Sequence, residues 1–220
     1  MTRFVGLALI SLLGLTTAGC ASYRPKDPPE VRNLPNSRLF GEFSVGAEVP
    51  RDDVEVRTYF DRDLLSCGVL PVHVYLRSTD DEADYEIDPR TVHLSYADGT
   101  ELRQISARDA YERCRFSHFR ALPGYLFIFP IFISHPVIAG ANGRMEEDFI
   151  KKQLRSQRLI RKTDPAREGV VGVLYFAAPD SDDDLDVDKV LNGGSLSMDV
   201  VRYQTDTPDP AQTLRILFSN

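Results

Sequence analysis

The chain is poor in the side chains from which most metal and nucleophile chemistry is built. It has three cysteines and four histidines in 220 residues. The histidines, His73, His93, His118 and His135, show no metal-ligand spacing such as H-E-x-x-H. There is no G-x-S-x-G elbow, no P-loop and no dinucleotide fingerprint. The expectation is a protein that is not an enzyme, with no catalytic residue, metal or cofactor assigned. His73 and His93 fall in strand-like stretches, where a hydrogen-bonded structural histidine is the ordinary role. Positive charge is also short: 26 basic against 33 acidic residues leave a formal charge of −7, with no basic cluster. That balance excludes nucleic acid as a partner and offers anionic headgroups nothing to hold.

Acid is concentrated at 180–188, where Asp182, Asp184 and Asp186 have the spacing that opens a calcium loop. The turn glycine of such a loop is Val187 here, and its twelfth-position glutamate is Gly193. The stretch reads as a solvated acidic loop rather than a metal site.

The two ends of the chain differ in character. Arg3 is followed by twelve residues at 4–15 that are apolar but for Ser11, then by small residues up to Cys20. A charged start, a short apolar core and a small-residue zone make a secretory signal. As a helix the apolar core spans ~18 Å, too short for the ~30 Å hydrocarbon layer of a bilayer. Removing 1–19 deletes one arginine and no acid, taking the formal charge from −7 to −8. Residues 21–37 hold four prolines and little apolar periodicity, and read as an extended tether of up to ~50 Å.

Thr17-Ala18-Gly19-Cys20 resembles the lipobox of bacterial lipoproteins. The resemblance implies cleavage after Gly19 and acylation of Cys20, which anchors the chain to a membrane through buried acyl chains. Thr17 departs from the family's preferred leucine. Ala21, where an aspartate would favour inner-membrane retention, implies an outer-membrane location facing the periplasm in a two-membrane cell. In that compartment Cys67 and Cys114 remain as an even pair able to form a disulfide, with two unrelated buried thiols as the alternative.

Residues 38–220 fit one domain. Strand patterns appear at 43–49, 54–59, 69–76, 85–89, 92–96, 101–105, 169–176, 196–203 and 213–218, with Asp98-Gly99 as a tight hairpin turn. An insert at about 106–157 carries two helical stretches. Ser106, with Asp109 three positions on, starts a helix running to about Phe116. Residues 144–157 form the second, supported by Glu147–Lys151 and Asp148–Lys152 pairs four apart. Between them, 121–143 are 23 residues without a formal charge, interrupted by Pro123, Pro130 and Pro136. The prolines disfavour a straight membrane-crossing helix. The run reads either as buried apolar packing or as a contact surface formed by Tyr125, Phe127, Phe129, Ile131 and Phe132.

Leu70-Pro71-Val72-His73-Val74, Ile87-Asp88-Pro89, Asp98-Gly99-Thr100-Glu101-Leu102 and Gly172-Val173-Leu174-Tyr175-Phe176 together resemble a group of uncharacterised bacterial envelope lipoproteins. The post-apolar stretch Ala141-Asn142 with Glu147-Asp148-Phe149-Ile150-Lys151-Lys152-Gln153-Leu154 belongs to the same resemblance. It implies a mainly β fold, an immunoglobulin-like or similar β-sandwich with an inserted helix–apolar segment–helix, and carries no known activity. The expectation is a lipid-anchored, non-catalytic interaction or accessory module that meets an envelope protein or lipid. Two rivals stand beside it. One is a carrier whose Tyr125, Phe127, Phe129 and Phe132 line a cavity for an apolar ligand, and the other is an enzyme with an unrecognised site.

Overall fold

The computed structural model describes residues 22–27, 36–78, 80, 83–116, 131–155, 157–159, 170–179, 184–204 and 207–218. Two antiparallel sheets dominate. The first has the order β1 (Arg38–Phe40), β2 (Phe43–Glu48), β3 (Leu70–Ser78), β8 (Val170–Ala177), β6 (Arg103–Ile105). The second is built around the long strand β9 (Ser195–Gln204). On one edge of β9 lie β4 (Ala83–Ile87) and β5 (His93–Ser95) in line, with β7 (Gln157–Leu159) beyond β4. On its other edge lie β10 (Thr207–Pro208) and β11 (Gln212–Leu217).

Alternation explains how the sheets meet. Phe43, Val45 and Ala47 of β2 point to one face, as do Leu70, Val72, Val74 and Leu76 of β3 and Leu174 and Phe176 of β8. They pack against Tyr85, Ile87, Leu94, Leu196, Met198, Val200 and Ile216 of the second sheet. This is a β-sandwich, with side chains from both inner faces forming one core. The opposite face of β3 and β8 is also covered, which is why β3 reads as a nearly continuous apolar run rather than an alternating one. Val173 and Tyr175 of β8 pack there against helices α1 (Asp53–Tyr59), α2 (Ala107–Cys114) and α3 (Ile131–Lys152). The molecule is thus a sandwich with a third, helical layer on one sheet.

The helices depart from the sequence reading in three places. Residues 54–59, which alternate like a strand, form α1. Asp52 caps it by accepting from the amides of Val54 and Glu55, and Asp53 pairs with Arg57 one turn on at 3.4 Å. Capping and charge placement decide the matter over six residues, and Val54 stays 67% exposed where a core strand would bury it. The second helix of the insert begins at Ile131, not 144, and runs through Pro136. Pro136 lies on the exposed side, while Ile138, Ala141, Met145 and Phe149 continue a buried stripe at helical spacing that offsets the lost hydrogen bond. It ends at Lys152 because Leu154 leaves to donate its amide to Val173 O at 2.9 Å. Gly172 makes this approach possible: a Cβ there would lie 2.7 Å from the Leu154 Cα. The end of the acidic stretch is also helical, as α4 (Val187–Leu191), with Asp186 as its N-cap and Val190 buried.

The start signal of α2 has the expected form. Ser106 Oγ accepts from the Asp109 amide while Asp109 returns a bond to the Ser106 amide, closing a capping box. At Asp98-Gly99 the chain turns with Gly99 at φ +88 and Tyr96 and Thr100 paired, as a tight hairpin requires.

Of the stretch expected to be a tether, 28–35 lie outside the described residues. Residues 22–27 do not run free of the body but lie strapped across the helical layer. Tyr23 is 1% exposed and belongs to the core shared by α1, α2 and α3. An aromatic ring of this size, with a partner for its hydroxyl, outweighs the extended preference of the prolines around it.

Candidate functional site

Beneath the strap lies a buried polar seam. Asp148 and Lys152, one turn apart on α3, form an ion pair at 2.6 Å with both side chains 6% exposed. Each charge is fully engaged. Tyr23 donates its hydroxyl to Asp148 Oδ2 at 2.5 Å. Lys152 Nζ also donates to Tyr59 O at 2.8 Å and lies 4.7 Å above the Phe60 ring. Burial holds the Lys152 amine below its ordinary range, partly countered by Asp148. Burial and the bond to Asp148 push the Tyr23 phenol well up. A satisfied pair of this kind fixes geometry more than it adds stability. Here it fixes where the strap sits, together with Arg144 Nε donating to Tyr23 O at 3.0 Å and the Arg24 amide donating to Asp61 at 2.8 Å. Lys26 Nζ donates to the Arg57 carbonyl.

His73 faces the same seam from β3. It is 1% exposed, its ring meets Tyr59 edge-on at 4.3 Å, and neither ring nitrogen has a hydrogen-bond partner among the described residues. The expected hydrogen-bonded histidine is therefore corrected to an unbonded one. Burial, with the nearby Lys152 charge, lowers its pKa to about 4, so it is neutral in the fold at neutral pH. His93 is exposed, with Nδ1 3.6 Å from Glu101. His118 lies outside the described residues, and of His135 only the backbone, within α3, is described.

Cys67 and Cys114 both pack in the helical core as free thiols, with Cys67 donating to Asp63 O at 3.3 Å. Cys67 ends a 3₁₀ turn, Leu65–Cys67, and Cys114 ends α2. At the end of α2 the Asn142 side chain accepts from the Phe116 amide at 2.9 Å and donates to its carbonyl at 3.2 Å, tying that end to α3.

A second polar region opens beside the edge strand β1. A cleft of about 590 Å³ is lined by Phe40, Glu42, Asp80, Tyr85, Arg202, Asp209 and Gln212, among others. Tyr85, stacked on Phe43 at 4.9 Å, donates to Asp80 Oδ2 at 2.7 Å, and Arg202 reaches the same oxygen at 3.4 Å. Burial and the Asp80 bond push the Tyr85 phenol up to about 12, so it acts as a donor and not as a base at neutral pH. Three carboxylates against one guanidinium suit a polar, cation-bearing contact. Sequence reasoning missed this cleft because its residues come from β1, β4, β9 and β11, with no local motif to unite them.

Among the described residues no three metal-ligating side chains converge. Asp186 of the acidic stretch serves α4 as a cap, and 180–183 lie outside the described residues. Tyr125, Phe127 and Phe129 also lie outside them, as do Gly19 and Cys20; the backbones of Ile131 and Phe132 form the first turn of α3. No described helix is long and apolar enough to cross a membrane.

No family model and no curated protein matches the chain. Among solved structures it is similar to a DUF4426 family protein from Pseudomonas aeruginosa PAO1, at 11% identity over 82% of this chain and 92% of that one, with a TM-score of 0.28. At that score the likeness bears on neither fold nor activity.

Proposed function

We propose that the chain is a lipid-anchored envelope protein, acylated on Cys20, whose body is a non-catalytic interaction or accessory module. In a two-membrane cell it faces the periplasm from the outer membrane. The observation that supports this reading most is the junction of the small-residue run ending at Cys20 with the strap that docks at Tyr23. Tyr23 lies three positions after Cys20, and at no more than ~3.6 Å per position the strap stays within ~11 Å of the anchored cysteine. Anchored this way, the body lies against the membrane surface with α1 and α3 nearest to it, instead of standing off on a long tether. Val54 and Ile150, exposed apolar side chains of these two helices, suit such a position. The polar cleft beside the edge strand β1 is the natural place for a hydrophilic partner.

Metabolic labelling with an alkyne fatty acid tests the anchor: wild type takes up label and fractionates with membranes, and Cys20→Ser does neither. Unlabelled wild type, or equal labelling of both, overturns the reading.

A further inference from the structure

We propose that residues 22–27 are a detachable latch, held by a preformed pocket in the body that recognises the phenol of Tyr23. The hold is concentrated at one side chain. Tyr23 is 1% exposed, meets the Phe149 ring edge-on at 6.4 Å and donates to Asp148 Oδ2 at 2.5 Å. Three further bonds secure the strap: Arg144 Nε to Tyr23 O, the Arg24 amide to Asp61 Oδ2, and Lys26 Nζ to Arg57 O. Each of them has a side chain as one partner. Among the described residues no backbone–backbone bond joins the strap to the body, and it extends neither a strand nor a helix.

The pocket is braced without the strap. Phe149 stacks on Tyr175 at 5.5 Å and meets the Phe60 ring edge-on at 5.3 Å, and the Tyr175 hydroxyl donates to Phe149 O at 3.1 Å. Asp148 is fixed by Lys152 at 2.6 Å, and Lys152 in turn by Tyr59 O at 2.8 Å. These walls come from the end of α1, from α3 and from β8. Withdrawing Tyr23 therefore leaves neither buried charge alone, which is the condition that makes breaking such a seam severe. The loss is confined to the strap: one hydroxyl bond to a carboxylate and the burial of one ring. A segment held in this way opens locally while the body stays folded.

On the anchored reading given above, on which this consequence rests, the latch sets the reach of the body. Closed, it holds Tyr23 within ~11 Å of Cys20. Open, it frees the whole stretch at 21–37, which spans up to ~50 Å when extended. One chain thus serves partners at two distances from a membrane, and a partner beyond the closed reach draws the strap from its pocket.

The test uses the full chain carrying Cys20→Ser, which cannot be acylated, so that failure of the latch and failure of the anchor are separate results. Chymotrypsin is applied to the native protein, and cleavage after Tyr23 is followed by mass. The expected result is a cut there, at a rate that urea below the unfolding transition changes by no more than about twofold. If Tyr23 were freed only by global unfolding, each molar of urea would raise the rate about tenfold or more. That result, or no cut at all, overturns the proposal. Adding Tyr23→Ala empties the pocket. The probe p-cresol, which reproduces the tyrosine side chain, should then raise the melting midpoint by several degrees, and toluene at the same concentration by less. Equal effects of the two compounds, or a Tyr23→Ala chain that does not fold, would mean that the pocket is not preformed and would overturn the proposal as well.

Discussion

The buried His73 should make the fold acid-sensitive in a defined window. In the unfolded chain its imidazole titrates near 6.5, and burial lowers this to about 4 in the fold. The unfolded state therefore binds more protons between these values, and stability falls as pH falls. The contribution is intact above pH 6.5, declines through the window and is fully lost below about 4. At ~1.4 kcal/mol per pH unit the loss amounts to about 3 kcal/mol, a large fraction of the ~5–15 kcal/mol that holds a typical domain together. His73→Leu removes the titrating group while keeping an apolar side chain beside Tyr59 and Phe60. At pH 7 the variant should lie within ~1.5 kcal/mol of wild type. Urea unfolding of both proteins at pH 7, 6, 5 and 4 isolates the effect, because carboxylates and Cys67 contribute equally to the two curves. Wild type should lose about 3 kcal/mol relative to the variant between pH 7 and 4, most steeply below 6. Parallel curves would show that His73 is solvated or hydrogen-bonded in the fold and would refute the argument.

Other perturbations follow from single contacts. Tyr23→Phe removes a donor from a buried carboxylate and should cost ~1.5–3 kcal/mol by urea unfolding, with faster proteolysis of residues 22–27 in the native protein; no change would mean that the strap is not docked. Gly172→Ala forces a methyl against the Leu154 backbone, which cannot swing aside, and should cost ~1–3 kcal/mol in the same assay. Ser106→Ala opens the capping box of α2 at a cost of ~1 kcal/mol, read as a lower thermal midpoint.

The sandwich was legible because most of its strands carry their own signal. β2 and β9 alternate, β3 is dense because both its faces are buried, and Gly99 marks its hairpin. The α2 capping box was equally local, with Ser106 and Asp109 three apart. α1 was not, because Val54-Glu55-Val56-Arg57 alternates as a strand does, and the Asp52 cap and the Asp53–Arg57 pair, whose acids lie outside that pattern, tip it to helix. The start of α3 was hidden by Pro136, whose cost is visible in sequence while the compensating burial of Ile138 and Ala141 is not. Tyr23 was concealed in a proline-rich stretch, since its partners Asp148 and Phe149 lie some 125 positions away. The cysteine pair could be suggested by parity alone, and its unequal burial required the fold. The cleft could not be read at all, since Asp80, Tyr85 and Arg202 converge only through the pairing of β4 with β9.

The most direct test of the central claim is the mass of the mature N-terminal peptide. The full-length gene product, expressed in a bacterium with lipoprotein-processing machinery, is purified from membranes and digested, and the peptide beginning at residue 20 is weighed and fragmented. The account predicts a chain starting at Cys20, with acyl groups on that residue and residues 1–19 removed. An unmodified Cys20, whether the chain starts there, elsewhere or at Met1, would contradict it.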